Sequence, residues 1–179
     1  SVEHLFAVTS GLDSMVLGEG EILHQVKYAY SCAKALGATG KVFNVLFQRA
    51  LNAAKTVRAQ TAIGRGCFSI GSVAVELAEK VFGSLATKRV LLIGAGKVSE
   101  ATLKRLAVRG ARQVRVMNRS LERATGLARE HGAVALPLEG LPEQLLEADI
   151  LMSSTSAPSY LLGPAEVAEV IGDRGTDHT

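Results

Sequence analysis

The sequence predicts an α/β protein, with a helical N-terminal segment followed by a doubly wound parallel-sheet domain. Three observations carry this. Apolar residues recur with helical period from Ile22 to Phe82. At Arg89-Val-Leu-Leu-Ile93 the rhythm changes to a continuous apolar run. A glycine-rich turn, Gly94-Ala-Gly96, follows that run directly.

The first helix expected from periodicity carries Ile22, Leu23, Val26, Ala29, Tyr30, Ala33 and Leu36 along one stripe and ends near Gly37. A second presents Val42, Leu46, Phe47, Ala50, Leu51, Ala54 and Val57, with Arg49, Lys55 and Arg58 on its opposite face. Gly64 and Gly66 interrupt the pattern between Thr61 and Ser69, as at a joint between domains. A third helix places Ile70, Val73, Ala74, Leu77, Ala78, Val81 and Phe82 on its apolar side. The run Arg89–Ile93 then reads as a strand buried on both faces of a parallel sheet. Helix Lys97–Arg109, strand Gln113–Met117, helix Leu121–His131, strand Ala133–Leu136, helix Leu138–Leu146 and strand Asp149–Met152 continue the alternation. Short connections between alternating strands and helices imply right-handed crossovers in an open sheet.

Bulk properties narrow the class. The chain of 179 residues is 47% hydrophobic and 21% charged. At this size a chain buries about 70% of its unfolded surface and needs no metal or disulfide staple. Aromatic residues make up 4%, too few for base stacking as the main way to hold single-stranded nucleic acid. The net charge of +3 permits contact with phosphates and equally suits an ordinary solvated surface. Cys32 and Cys67 stand far apart, which fits a reduced, cytoplasmic protein. The four histidines His4, His24, His131 and His178 form no zinc pattern, so no metal is expected. No apolar run is long enough to span a bilayer.

The chemistry concentrates after the first strand. Gly94 permits the tight turn, and Gly96 lets the backbone approach a pyrophosphate with no Cβ in the way. Together with Ala95, Lys97 and Val98 they open a helix whose free N–H groups and partial positive charge face that anion. Ser99 stands where a third glycine is usual and is small enough to keep helix and strand close. In this strand-turn-helix context the pattern is that of a Rossmann dinucleotide site. An NAD site usually has an acid at the end of the second strand, to hold the ribose 2′-hydroxyl. Here the strand ends in Asn118-Arg119-Ser120, with no acid in reach. A guanidinium and a hydroxyl suit a 2′-phosphate, so NADPH is the expected cofactor. Ser153-Ser154-Thr155, past the fourth strand, either lines the same crevice or satisfies a turn; the residues leave both open.

The string from His4 through Ser14, Glu19-Gly20-Glu21 and Gln25 to Lys27 resembles the signature of glutamyl-tRNA reductase. The resemblance continues through Phe47-Gln-Arg-Ala50, Ala54-Lys-Thr-Val-Arg58, Thr61-Ala-Ile-Gly64, Gly94-Ala-Gly96, Asn118-Arg-Ser-Leu-Glu-Arg-Ala124 and Ala148-Asp-Ile150. It implies NADPH-dependent reduction of glutamyl-tRNA(Glu) to glutamate-1-semialdehyde, at the entry to tetrapyrrole (5-aminolevulinate) synthesis, through a thioester on a cysteine. It further implies a catalytic role for His4 and substrate contacts at Ser14, Glu19, Gly20, Glu21 and Gln25. Also implied are a homodimer, and the next enzyme, glutamate-1-semialdehyde aminomutase, as a partner.

The chain departs from the family pattern in three ways. Glu21 stands where the family usually has Gln, and His24 replaces a small residue. The family's Cys-Asn-Arg motif lies upstream of the position of His4 and is not in these residues; neither Cys32 nor Cys67 falls on the nucleophile's position. The expectation is therefore a family fragment, inactive by itself, with residues 1–62 as the end of a glutamyl-binding catalytic domain and 63–179 as most of an NADPH-binding domain. Two other readings compete. One is a different NADP-dependent reductase, such as a shikimate-dehydrogenase-like enzyme, whose second strand also ends in an Asn-Arg-Thr-like turn. The other is a non-catalytic module that binds tRNA or a protein.

Overall fold

In the computed structural model of the chain, residues 1–64, 69–157 and 159–173 are described; Gly66, Cys67 and His178 lie outside them. The chain divides into two compact units, Ser1–Val73 and Ala74–Thr179.

The first unit holds helices α1 (Val2–Thr9), α2 (Gly20–Ala35) and α3 (Lys41–Gln60), followed by a 3₁₀ turn at Ala62–Gly64. Periodicity anticipated α2 and α3 but not α1, whose first turn is closed by the Ser1 hydroxyl accepting from the His4 N–H. Tyr30 stacks on Phe47 with ring centroids 5.3 Å apart, and its hydroxyl donates to Asn44 Oδ1 at 3.0 Å. On α3 the most buried side chains are the small ones, Ala50 and Ala54. Arg58, expected on the outer face of α3, turns inward instead. Its guanidinium donates to the carbonyls of Gly18 (2.9 Å) and Glu19 (2.6 Å), fixing the loop that leads into α2. Gly18 has φ +79°, and a Cβ there would overlap the Ile63 carbonyl, so the loop needs glycine at this point.

α4 (Ile70–Phe82) crosses from one unit to the next. The stripe expected to face the core is largely exposed: Ile70, Val73, Leu77 and Val81 face outward, and Val75 and Ala78 are buried. Ion pairs set this rotation. Glu76 receives Arg105 at 2.6 Å and Glu79 receives Arg109 at 3.0 Å, both from α5 (Lys97–Val108).

The second unit is a four-stranded parallel sheet in the order β3-β2-β1-β4. Its strands are β1 (Arg89–Ile93), β2 (Gln113–Asn118), β3 (Val134–Pro137) and β4 (Ile150–Ser153). Val90, Leu92, Val114 and Val116 meet Leu103 and Leu106 of α5 and Ala124 and Ala128 of α6 (Leu121–His131) on one face. On the other, Leu91, Ile93 and Met117 meet Leu141 and Leu145 of α7 (Leu141–Glu147), with Val170 of α8 (Pro164–Asp173) packed against them. The helix expected at Leu138–Leu146 begins as a 3₁₀ turn, Leu138–Gly140, and α8 was not anticipated.

At the start of β1, Asp149 Oδ2 accepts the Arg89 N–H at 2.7 Å, and the Asp149 N–H donates back to the Arg89 carbonyl at 2.8 Å. Burial pushes the Asp149 carboxyl up. The Arg89 hydrogen bonds and the charges of Arg89 and Lys88 outweigh burial and hold it below its ordinary 3.8. A depressed value contributes stability that is full above 3.8 and is lost as pH falls through the folded-state value. Asp149→Ala is expected to cost about 1.5–3 kcal/mol at neutral pH by urea denaturation, the range for a hydrogen bond to a charged group. That difference should shrink as the medium is acidified below the carboxylate range. A cost that does not depend on pH would show that the carboxylate's charge is not what matters.

Candidate functional site

A cavity of about 890 Å³ opens at the C-terminal ends of the strands. In the order β3-β2-β1-β4 the strand order reverses between β1 and β4, which is where open α/β sheets bind ligands. The cavity floor is the turn between β1 and α5. Gly94, Ala95, Gly96, Lys97 and Val98 all line it. The Gly94 N–H donates to the Met117 carbonyl at 2.8 Å, tying the turn to β2. Gly94 has φ +114°, and a Cβ on it would overlap the Ser154 carbonyl; only glycine fits. Gly96 has nothing within 4 Å of where a Cβ would stand, so its backbone is open to the cavity. No side chain caps α5 at Gly96, which leaves the first-turn N–H groups to a ligand.

Ser99 does not line the cavity. It is fully buried behind the turn, its oxygen 3.2 Å from the Cβ position of Gly94, so its part is to set the spacing of helix and strand.

The second wall is the end of β2. Asn118, Arg119 and Ser120 line it, with Arg119 exposed. Asn118 Nδ2 donates to the Ser120 carbonyl at 3.1 Å, and the Ser120 hydroxyl accepts the Arg123 N–H at 3.3 Å, capping α6. Two residues on this wall were missed in the sequence. Arg123 adds a second guanidinium, and Glu122 puts an acid on a wall that was expected to have none in reach. Both sit on the first turn of α6, beyond the end of β2.

The opposite wall comes from the loop after β4. Ser154 and Thr155 line it, with Ser156 and Ser159, while Ser153 does not. The Ser154 N–H donates to the Ile93 carbonyl at 2.8 Å, and the Thr155 hydroxyl accepts the Ala157 N–H at 3.1 Å. Thr155 therefore does both things the sequence allowed: it satisfies a turn and it faces the crevice. Leu138 and Leu161 add apolar surface.

The other expected site residues all lie in the first unit. His4 is exposed on α1, with Nδ1 3.2 Å from Asp13 Oδ2. The Ser14 hydroxyl donates to the Val16 carbonyl at 2.9 Å and accepts the Val16 N–H at 3.2 Å, so it organises its own loop. Glu19 is the N-cap residue of α2 but makes no side-chain cap bond, and Gly20 begins the helix. Glu21 and Gln25 stand one turn apart and exposed on α2. Cys32 is exposed on the same helix. Among the described residues no cluster of His, Cys, Asp and Glu could hold a metal ion, and no helix is long and apolar enough to cross a membrane.

Comparison with known proteins follows the same division. Residues 1–61 match the family model described as glutamyl-tRNAGlu reductase, N-terminal domain. Residues 76–178 match the model described as shikimate / quinate 5-dehydrogenase. Glutamyl-tRNA reductase of Brevibacillus brevis is 49% identical over 97% of this chain and 38% of its own length. That of Desulfotalea psychrophila is 46% identical over 96% of this chain and 40% of its own length. The solved structure of glutamyl-tRNA reductase from Methanopyrus kandleri superposes with a TM-score of 0.56 at 45% identity, covering 97% of this chain and 44% of that one. The chain thus spans about two-fifths of the length of these relatives. With this identity running through both units, and a dehydrogenase-type second unit, the chain belongs to the glutamyl-tRNA reductase family.

Proposed function

We propose that this chain carries the NADPH-binding unit, and part of the glutamyl-binding unit, of an enzyme that reduces glutamyl-tRNA(Glu) to glutamate-1-semialdehyde. The carrying observation is the cavity, which joins a turn whose Gly94 tolerates no Cβ to a wall bearing Arg119 and Arg123. The residues suit a phosphorylated dinucleotide. The open backbone at Gly96 and the uncapped start of α5 receive the pyrophosphate. Arg119 and Arg123 pair with the 2′-phosphate. Ser154 and Thr155 orient the far end of the cofactor from the other wall, with Leu138 and Leu161 excluding water. When bound, the nicotinamide supplies the hydride that takes the glutamyl acyl carbon to the aldehyde.

In the first unit, His4, Ser14, Glu19, Gly20, Glu21 and Gln25 are the proposed contacts of the glutamyl moiety. A substrate with an α-amine and a carboxylate suits this mixture of acid, amide and hydroxyl groups. Residues 1–62 are assigned to this part and 63–179 to the cofactor domain. A homodimer, a cytoplasmic location and delivery of the aldehyde to the aminomutase belong to the same proposal.

Glu122 favours one competing reading, that the cavity takes NADH with this carboxylate on the ribose hydroxyl. Calorimetric titration of the chain with both cofactors separates them. NADPH is expected to bind at least tenfold tighter, and a preference for NADH would overturn the NADPH assignment. The 179-residue chain is further expected to bind NADPH yet give no steady reduction of glutamyl-tRNA. Neither of its thiols stands at the nucleophile's place in the family motif, and the acyl group must reach a thiolate before reduction. Sustained aldehyde formation, trapped and counted against enzyme, would show that Cys32 or Cys67 is the nucleophile after all.

A further inference from the structure

The charges of this chain are segregated along its length. Residues 1–21 hold four acids and no Lys or Arg; residues 22–75 hold seven Lys or Arg and no acid; residues 76–179 hold thirteen of each. The whole net charge of +3 therefore originates in the first 75 residues, and within them in the stretch that forms α2 and α3. One of the seven, Arg58, is spent on the loop before α2, and Arg65 lies outside the described residues. The other five, Lys27, Lys34, Lys41, Arg49 and Lys55, are all exposed. Among the described residues none of them has a carboxylate in ion-pair range.

Helical spacing orders them. On α2, Lys27 and Lys34 stand two turns apart and exposed, flanking the buried Tyr30, while the exposed Glu21 of the first turn stands on the opposite side of the helix. On α3, Lys41, Val45, Gln48, Asn52 and Lys55 follow one another at three- and four-residue steps, all exposed, opposite the buried Ala50 and Ala54. At about 1.5 Å per residue, Lys41 to Lys55 spans roughly 21 Å, a length that covers several phosphates of a duplex strand. An ordinary solvated helix face intersperses both signs of charge, as the second unit does, where Lys104 pairs with Glu100 and Arg115 with Glu147. α3, and α2 beyond Glu21, carry no acid at all, which has no such structural explanation.

We infer that the solvent-facing sides of α2 and α3 form a docking surface for the phosphate backbone of a double-helical RNA, through Lys27, Lys34, Lys41 and Lys55. The inference rests on the glutamyl-tRNA reading for the choice of polyanion, and it adds where on this chain the RNA lies. Lysine with interleaved Ser, Gln and Asn makes point-charge and hydrogen-bond contacts to phosphate and sugar, which position an RNA without reading its sequence. Such contacts suit a stem held while its acylated end is presented elsewhere.

The test is binding of unacylated tRNA(Glu) to the 179-residue chain, followed by fluorescence anisotropy between 50 and 200 mM salt. Two quadruple variants are compared with wild type: Lys27, Lys34, Lys41 and Lys55 each changed to Gln, and each changed to Glu. A control variant changes Lys80, Arg112 and Arg129, exposed in the second unit, to Glu. Each phosphate contact contributes a salt slope of about 0.9, so four lost contacts should flatten the log–log slope by about 3.6. Wild type should accordingly lose about 150-fold more affinity than the Gln variant between the two salt concentrations. The control should stay within a few-fold of wild type. Equal losses in the control would reduce the effect to overall charge and overturn the surface. Unchanged binding in both helix variants, or no tRNA binding by wild type at 50 mM salt, would overturn it too. So would tighter binding to vesicles one-third phosphatidylserine than to tRNA, since a basic helix face also suits an anionic membrane. NADPH titration of the same samples keeps the outcomes separate: a failed docking surface with NADPH binding intact leaves the reductase reading standing.

Discussion

Gly94→Ala is expected to abolish measurable NADPH binding and to destabilise the second unit by about 2–4 kcal/mol, combining an unfavourable φ with overpacking. Gly94 sits at φ +114°, and an added Cβ would overlap the Ser154 carbonyl. That carbonyl cannot simply retreat, because the N–H of the same residue is bonded to Ile93 at the end of β1. Relief must come from parting β1 and β4 at the edge of the cavity, which displaces both the turn and Thr155. Gly96→Ala makes the informative contrast. Nothing lies within 4 Å of its Cβ position, so stability should be unchanged while a methyl group intrudes where a pyrophosphate would approach. NADPH affinity should fall tenfold or more. Urea denaturation and calorimetric titration on the two variants separate fold from ligand. If Gly94→Ala leaves both untouched, the turn in solution differs from the one described. If Gly96→Ala binds NADPH normally, the ligand does not pass over this turn.

Arg119→Ala should weaken NADPH binding by about 10- to 150-fold, since a lost hydrogen bond to a charged group is worth about 1.5–3 kcal/mol. NADH binding should hardly change, because NADH lacks the 2′-phosphate. Arg123 on the same wall makes the lower end of that range the expected value for the single variant and the upper end that for Arg119→Ala with Arg123→Ala. Arg119→Asp should go further, adding repulsion toward NADPH beside Glu122 and a partner for the ribose hydroxyl of NADH. Equal weakening toward the two cofactors would show that Arg119 serves the shared part of the dinucleotide or the fold, and the NADPH reading would lose its main support.

How far the sequence was readable varied with the physics of each element. β1 was plain because Val90, Leu91, Leu92 and Ile93 are buried from both sides, and only a central parallel strand needs such a run. The glycine turn was plain for the same kind of reason, since two backbone constraints leave few residue choices. α4 was found, but its buried face was mistaken. It carries apolar residues around most of its circumference, and the choice among faces is made by Glu76 and Glu79 reaching Arg105 and Arg109 on another helix. α1, with 8 residues, is too short for a period to stand out. Arg58 looked like a surface charge because its partners are backbone carbonyls, which leave no mark in sequence. In the cavity, Arg123 and Glu122 were overlooked for a geometric reason. The first turn of α6 swings them back over the end of β2, so the wall continues past the strand that announced it.

The Arg58 contact also constrains how the first unit can be assembled. The guanidinium near the end of α3 holds carbonyls about 40 residues earlier in the chain. Closing a loop of that length costs entropy before any contact repays it, so this pairing cannot form early by itself. The Gly18–Glu19 segment can settle only after α2 and α3 have folded back on each other, with Tyr30 on Phe47 as a more local step. Translation makes the ordering stricter. A ribosome exposes Gly18 well before Arg58, so the segment preceding α2 waits, unanchored, until the last turn of α3 has emerged. The segment just before α2, which carries the proposed contacts at Glu19 and Gly20, thus settles after the two helices that follow it.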